Sequence, residues 1–232
     1  MKVLAIESSC DDTSVAIVND DKSIEFLETI NHRKFHKDLG GVIPEMAARQ
    51  HLEILDILGK SVKKINFSKI SAIAATFGPG LIGGLIVGSS FAKGLSISKN
   101  IKLVPINHLQ AHLLSPRLVS EIKFPYLCLL VSGGNTALVL VKNSKSFITL
   151  GSTIDDSAGE CFDKVAKGLG LGYPGGPEIE HLALGGNIEK FKLPMPLTKK
   201  NNCDFSFSGL KTAALNTIKN NKKTKLFLRD FS

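Results

Sequence analysis

A chain of 232 residues, 43% of them hydrophobic, can bury one large core or two modest ones, since domains usually run to ~100–200 residues. Its four cysteines, Cys10, Cys128, Cys161 and Cys203, include no CxxC pair, which argues against a disulfide framework and a cysteine zinc site and fits a reducing cytoplasm. The net charge of +8 is uneven: positions 185–232 hold ten Lys and Arg against three Asp and Glu, which suits either a polyanion or a solvated surface, and with two Tyr, no Trp and few aromatics interleaved among the lysines there is no stacking platform for single strands.

Residues 3–6 form a short apolar run that predicts a strand. Glu7 follows, a carboxylate where a signal peptide would need its apolar core, so no export segment is expected. A polar turn through Ser8, Ser9, Cys10, Asp11, Asp12 and Thr13 leads to a strand-like stretch at 14–18. Positions 44–58 place Met46, Ala47, Leu52, Leu55 and Leu58 at helical spacing, which predicts an amphipathic helix with these five on its apolar face. Glu45 and Arg49 on that helix read as a surface ion pair, and His32, His36 and His51 lie near it. Positions 70–92 carry no charge and are long enough to suggest a membrane span, but Gly78-Pro79-Gly80 divides them into a buried strand, a turn and a buried helix. Gly80, Gly84 and Gly88 recur every fourth residue, giving that helix a bare face for close packing. Asn107 leads into a helix at 108–114, and 116–125 reads as the link between two lobes, 1–119 and 120–232.

The opening pattern then returns: an apolar run at 127–131, a turn Ser132-Gly133-Gly134-Asn135-Thr136, and a strand at 137–141. Two such hairpins predict an α/β protein of the actin-like ATPase architecture, with two duplicated lobes around a nucleotide cleft whose turns offer backbone N–H groups to phosphate. The plainer alternative is a pair of ordinary hairpins in which glycine serves positive φ. Ser157 with Glu160 is a capping box opening a helix through Phe162, Val165, Ala166 and Leu169, ended by Gly168, Gly170 and Gly172. Residues 173–177 read as a rigid turn, 178–184 as a short helix, 205–209 as a strand running into a loop and 210–218 as a helix start. This second lobe is expected to be incomplete, because the architecture needs more strands and helices than remain.

His108 and His112, four apart on a helix, point to one side at metal-binding distance. Two ligands alone hold a metal poorly, and a surface coincidence or a packed pair remains open. The zinc-protease motif needs a glutamate directly after the first histidine, where Leu109 stands. Asp155, Asp156, Glu160 and Asp163 gather at a helix start. Asp163 lies too deep in the helix for capping and is placed to accept hydrogen bonds from a ribose or other hydroxyl.

Taken together, these segments resemble the tRNA threonylcarbamoyladenosine transferases over nearly the whole chain. The resemblance is carried by residues 6–13, the stretch 36–51, Gly78-Pro79-Gly80-Leu81, His108 with His112, Val131-Ser132-Gly133-Gly134, residues 155–163, 173–177 and 205–212. It implies transfer of a threonylcarbamoyl group from threonylcarbamoyl-AMP to N6 of adenosine-37 in tRNAs reading codons that begin with A. It further implies a divalent metal, iron or zinc, on His108 and His112. Leu130, Val131, Ser132, Gly133 and Gly134 would form the second phosphate-gripping turn, and Asp163, Gly176 and Glu180 would line the adenylate pocket. Implied partners are tRNA and the TsaB- and TsaE-like subunits of the bacterial complex, in the cytoplasm and without a membrane. Asn135 replaces a usual histidine, Gln110 a frequent glutamate, and the family's adenosine-contacting asparagine and metal aspartate are expected beyond Ser232. An inactive fragment or scaffold of the same family is therefore the alternative to an active transferase.

Overall fold

The computed structural model describes residues 1–31, 43–62, 65–184, 186–187, 189–198 and 201–221. His32, His36 and residues 36–42 of the stretch 36–51 that contributes to the resemblance lie outside them. The chain divides into two compact units, one before Ile122 and one from Ile122 onward, apart from a short segment outside the described residues.

The first unit is built on a five-stranded sheet. Strands β1 (Lys2–Glu7), β2 (Asp12–Asn19) and β3 (Ile24–Asn31) form an antiparallel meander, while β4 (Ala72–Gly78) and β5 (Leu103–Asn107) add in parallel on the far side of β1, giving the order β3-β2-β1-β4-β5. The uncharged run at 70–92 is resolved into β4 and the start of helix α2 (Ile82–Lys99). Among the described residues no helix is long and apolar enough to cross a membrane. Ile73, Ala74, Ala75 and Thr76 are buried in succession, as expected of a parallel strand covered on both faces.

Helix α1 (Pro44–Val62) covers the sheet with Ile54, Leu55, Leu58 and Val62, which join Leu4, Ile6, Val15, Ile17 and Ile73 in one core. Two of the five expected core positions are corrected: Met46 and Leu52 are 40% and 65% exposed. The stripe runs through Ala47, His51, Ile54, Leu55 and Leu58, and Leu52 sits one residue off it. Glu45 and Arg49 do form a surface pair at 2.8 Å. Helix α2 is buried only on its Gly84, Leu85, Gly88 and Ala92 side, with Ile82, Ile86 and Ile97 exposed. Helices α3 (His108–Leu114) and α4 (Pro116–Val119) complete the unit.

The second unit opens with the same meander: β6 (Tyr126–Val131), β7 (Thr136–Asn143) and β8 (Ser146–Ser152), all antiparallel. No strand among the described residues pairs with the outer edge of β6. Leu127, Leu129 and Val131 stand exposed on one face of it. Helices α5 (Ala158–Leu169), α6 (Gly175–Ala183) and α7 (Ser208–Asn221) form a core of their own from Cys161, Val165, Ala166, Ile179, Ala214 and Ile218. Helix α6 begins at Gly175, so the expected rigid turn is partly its first turn. The expected strand at 205–209 is a single bridge, Thr153 to Phe205, before α7 starts at Ser208.

Candidate functional site

In the first unit, the C-terminal ends of the parallel strands β1, β4 and β5 bring Glu7, Thr76 and Asn107 to one edge, the place where open α/β sheets put their ligands. Asn107 caps α3, its Oδ1 accepting the Gln110 N–H at 3.1 Å, and so fixes where the helix starts. His108 and His112 then fall one turn apart, with their Nε2 atoms 3.1 Å from each other and their rings at 89°. Two imidazole nitrogens bound ~2.0–2.1 Å from one ion lie roughly 2.9–3.4 Å apart for bond angles between square and tetrahedral. The pair therefore fits a two-point chelate. No group of three or more His, Cys, Asp or Glu able to hold a metal occurs among the described residues. Burial, followed by the neighbouring His108, pushes the His112 pKa down and favours the neutral, ligating form.

Glu7 stands behind this pair. Its Oε1 accepts the Ser9 N–H at 2.6 Å, and its Oε2 accepts the Thr76 hydroxyl and lies 3.4 Å from His108 Nδ1. Burial alone would raise its pKa, but hydrogen bonds from His108, Ser9 and Thr76 outweigh that and hold it at about 2.

The turn between β1 and β2 is packed from within the unit. The Ser8 hydroxyl donates to the Gly84 carbonyl at 2.9 Å, and the Leu81 N–H donates to the Ser9 carbonyl at 2.7 Å. The bare face of α2 makes this possible: a Cβ on Gly84 would lie 2.3 Å from the Ser8 carbonyl oxygen, and one on Gly88 2.0 Å from Ser8 Oγ. Fully buried His51 ties the same turn to α1, with Nδ1 2.8 Å from Thr13 Oγ1 and Nε2 3.1 Å from the Cys10 carbonyl. Since only Nε2–H can serve a carbonyl, Nδ1 accepts from Thr13.

In the second unit, the turn from Ser132 to Asn135 is closed by Ser132 N–H to the Asn135 carbonyl at 2.8 Å and by Asn135 N–H to Ser132 Oγ at 3.0 Å. It is seated on the start of α5, where the Ser157 hydroxyl donates to the Gly133 carbonyl at 2.5 Å and a Cβ on Gly159 would meet the Ser132 carbonyl oxygen at 2.5 Å. Ser157 Oγ also accepts the Glu160 N–H at 3.1 Å, half of the expected capping box, while the Glu160 carboxylate pairs with Lys164. Neither Gly133 nor Gly134 has positive φ, and a Cβ on either would meet nothing within 4 Å. Among the described residues, neither turn geometry nor internal packing thus requires glycine at these two positions.

Asp163 lies four residues after Gly159, on the same side of α5. Its Oδ1 accepts the Gly175 N–H at 2.7 Å. Asp163 thus sits inside its own helix and serves the first turn of α6, where Pro174 supplies no side-chain bond. Gly176 follows directly, with nothing within 4 Å of its Cβ position, and Glu180 lies exposed one turn further along. Asp155 has a structural task, accepting bonds from Ser206, Phe207 and Ser208 that anchor the start of α7.

The solved structures most useful for comparison share this architecture at low identity. A ROK family protein from Streptococcus pneumoniae TIGR4, solved in complex with sucrose, superposes with a TM-score of 0.52 at 15% identity, over 97% of this chain and 100% of that one. Component A of (R)-2-hydroxyglutaryl-CoA dehydratase from Acidaminococcus fermentans gives 0.52 at 12% identity, over 100% and 73%. The class is therefore the mixed α/β, actin-like ATPase fold.

Sequence comparison narrows the class. The family model "tRNA N6-adenosine threonylcarbamoyltransferase" (TsaD) matches residues 25–231. The transferase of that name from Wolbachia pipientis wMel is 50% identical over 226 residues, 96% of this chain and 67% of that protein. The one from Rickettsia canadensis strain McKiel is 52% identical over 220 residues, 94% and 64%. The chain belongs to the tRNA N6-adenosine threonylcarbamoyltransferase family, a family of tRNA-modifying transferases, and spans about two thirds of the length of these curated relatives.

Reading the sequence alone singled out His108 and His112 but passed over Glu7, Ser9 and Thr76 as partners of that pair. The available signal was a lone carboxylate ending a buried strand, at the edge where ligands collect.

Proposed function

We propose that the chain serves the transfer of a threonylcarbamoyl group from threonylcarbamoyl-AMP to N6 of adenosine-37 in tRNAs that read codons beginning with A. The turn Leu130, Val131, Ser132, Gly133 and Gly134 receives the phosphate of the adenylate, and Asp163, Gly176 and Glu180 line its binding surface on α5 and α6. His108 and His112 hold a divalent metal, iron or zinc. In the reaction the N6 amine attacks the activated carbonyl, the bond to phosphate breaks, AMP leaves and the amine loses its proton. The amine is a weak nucleophile, so orientation of the two reactants supplies much of the acceleration. A bound metal contributes Lewis-acid polarisation of a carbonyl or phosphate oxygen. The chain's own contribution is a bare, closely held turn for the phosphate and a carboxylate, Asp163, fixed by Gly175 beside the neighbouring helix. tRNA and subunits resembling TsaB and TsaE are the partners, in the cytoplasm.

The observation that carries this reading is the pair Gly133 and Gly134, whose missing side chains nothing among the described residues demands. Close approach of a ligand to the backbone is the remaining use for glycine there. Isothermal titration with a stable threonylcarbamoyl-AMP analogue tests it. Saturable binding is expected, at least tenfold weaker in Gly134→Val; equal affinity of the two proteins contradicts the reading. A scaffold that binds without turnover is favoured by one observation, the lack of a third donor beside His108 and His112 among the described residues. Mass spectrometry of tRNA for threonylcarbamoyladenosine separates binding from turnover.

A further inference from the structure

His108 is gripped on the side that faces away from His112. Its Nδ1 lies 2.9 Å from Ser9 Oγ and 3.4 Å from Glu7 Oε2. The carboxylate is itself fixed, by the Ser9 N–H at one oxygen and the Thr76 hydroxyl at the other. Both Glu7 oxygens already act as acceptors, Oε1 for the Ser9 N–H and Oε2 for the Thr76 hydroxyl, so the carboxylate presents an acceptor to Nδ1. The carboxylate at Nδ1 therefore calls for an N–H there, with the Ser9 hydroxyl oxygen beside it as a second acceptor. A neutral imidazole protonated at Nδ1 carries its lone pair on Nε2, the atom that faces His112 Nε2 at 3.1 Å. Ser9 is almost wholly buried and Glu7 mostly so, which keeps the arrangement from being exchanged for water.

We infer that Glu7 is a positioning residue: with Ser9 it locks His108 in the Nδ1–H tautomer and aims the Nε2 lone pair at the divalent metal. This rests on the proposed metal role of His108 and His112. Carboxylates that hold a ligating histidine from behind fix its ring and raise its basicity, and their loss typically costs ~10–100-fold in metal affinity. Glu7 thus acts through His108 and touches no substrate. Thr76, on the adjacent parallel strand, keeps the carboxylate from turning away.

Two measurements on the 232-residue chain test the inference. Nitrogen-15 NMR of the metal-free, histidine-labelled protein reads the tautomer directly: His108 is expected to be protonated at Nδ1 and bare at Nε2. A His108 protonated at Nε2, or an even mixture, overturns the inference without any variant having to fold. Titration with Co2+ as the probe then compares wild type, His112→Ala and Glu7→Gln, each with its thermal melt recorded. Loss of binding in His112→Ala together with at least tenfold weaker binding in a folded Glu7→Gln is the expected result. Binding that His112→Ala abolishes but Glu7→Gln leaves unchanged overturns the role of Glu7 alone. Equal binding by wild type and His112→Ala overturns the metal reading and the inference with it.

Discussion

The two hairpin turns begin from strands of equal length yet are finished in opposite ways. In the first unit, β1 and β2 pair up to Glu7 and Ser14, leaving a longer turn that α2, His51 and Thr13 fill from behind. In the second, β6 and β7 pair up to Val131 and Thr136, leaving four residues with two glycines that face open space. Glycine carries different information at the two turns. Gly84 and Gly88 are bare so that the chain can approach itself, whereas Gly133 and Gly134 are bare where the chain does not approach. The position that ends the first strand follows the same division: Glu7 is half-buried behind a histidine, while its counterpart Val131 is exposed.

The largest effect that can break this comparison is expected at Gly84. Gly84→Ala forces a Cβ to 2.3 Å from a backbone oxygen and 2.8 Å from the His51 ring, and overpacking of this kind costs about 1–3 kcal/mol, to be read as a lower denaturation midpoint of the first unit. His51→Leu comes next. It leaves the buried Thr13 hydroxyl and the Cys10 carbonyl without the ring that bonds them, at about 1–3 kcal/mol.

The same histidine gives a pH signature. Burial holds its pKa below the ordinary value, so the folded state favours the neutral ring. Its contribution to stability is complete above the unfolded pKa of ~6.5 and is lost as pH falls through the lower folded value. Melting temperature should therefore drop between pH 7 and 5.5, with a smaller drop in His51→Leu; identical pH profiles would contradict the burial argument. The smallest effect belongs to the other unit. Gly134→Ala meets no atom within 4 Å and no positive φ, so its stability should stay within about 0.5 kcal/mol of wild type.

Much of the fold was legible because hydrophobic period and glycine punctuation agree with tertiary structure at β1, β4, α2, α3 and α5. The misses have particular causes. β3 carries Glu25 and Glu28 and leaves Leu27 exposed at a sheet edge, so its alternation is weak. β8 pairs with β7 through two register shifts, one of which skips Leu150 and breaks the period of two along β8. Met46 and Leu52 read as core because composition does not reveal which apolar residues fall off the stripe. Of the site, the histidine pair and the glycine turn were visible as spacing. The caps were not: Asp163 serves Gly175 twelve residues away, and Glu7 serves His108 from 101 residues away. Such pairings depend on strand order, which no local pattern contains.

Amide hydrogen exchange at residues 132–135, with and without the stable threonylcarbamoyl-AMP analogue, bears most directly on a turn kept bare for a ligand. Exchange at Gly133 and Gly134 should slow severalfold when the analogue is added. Unchanged exchange there at saturating analogue would contradict the account.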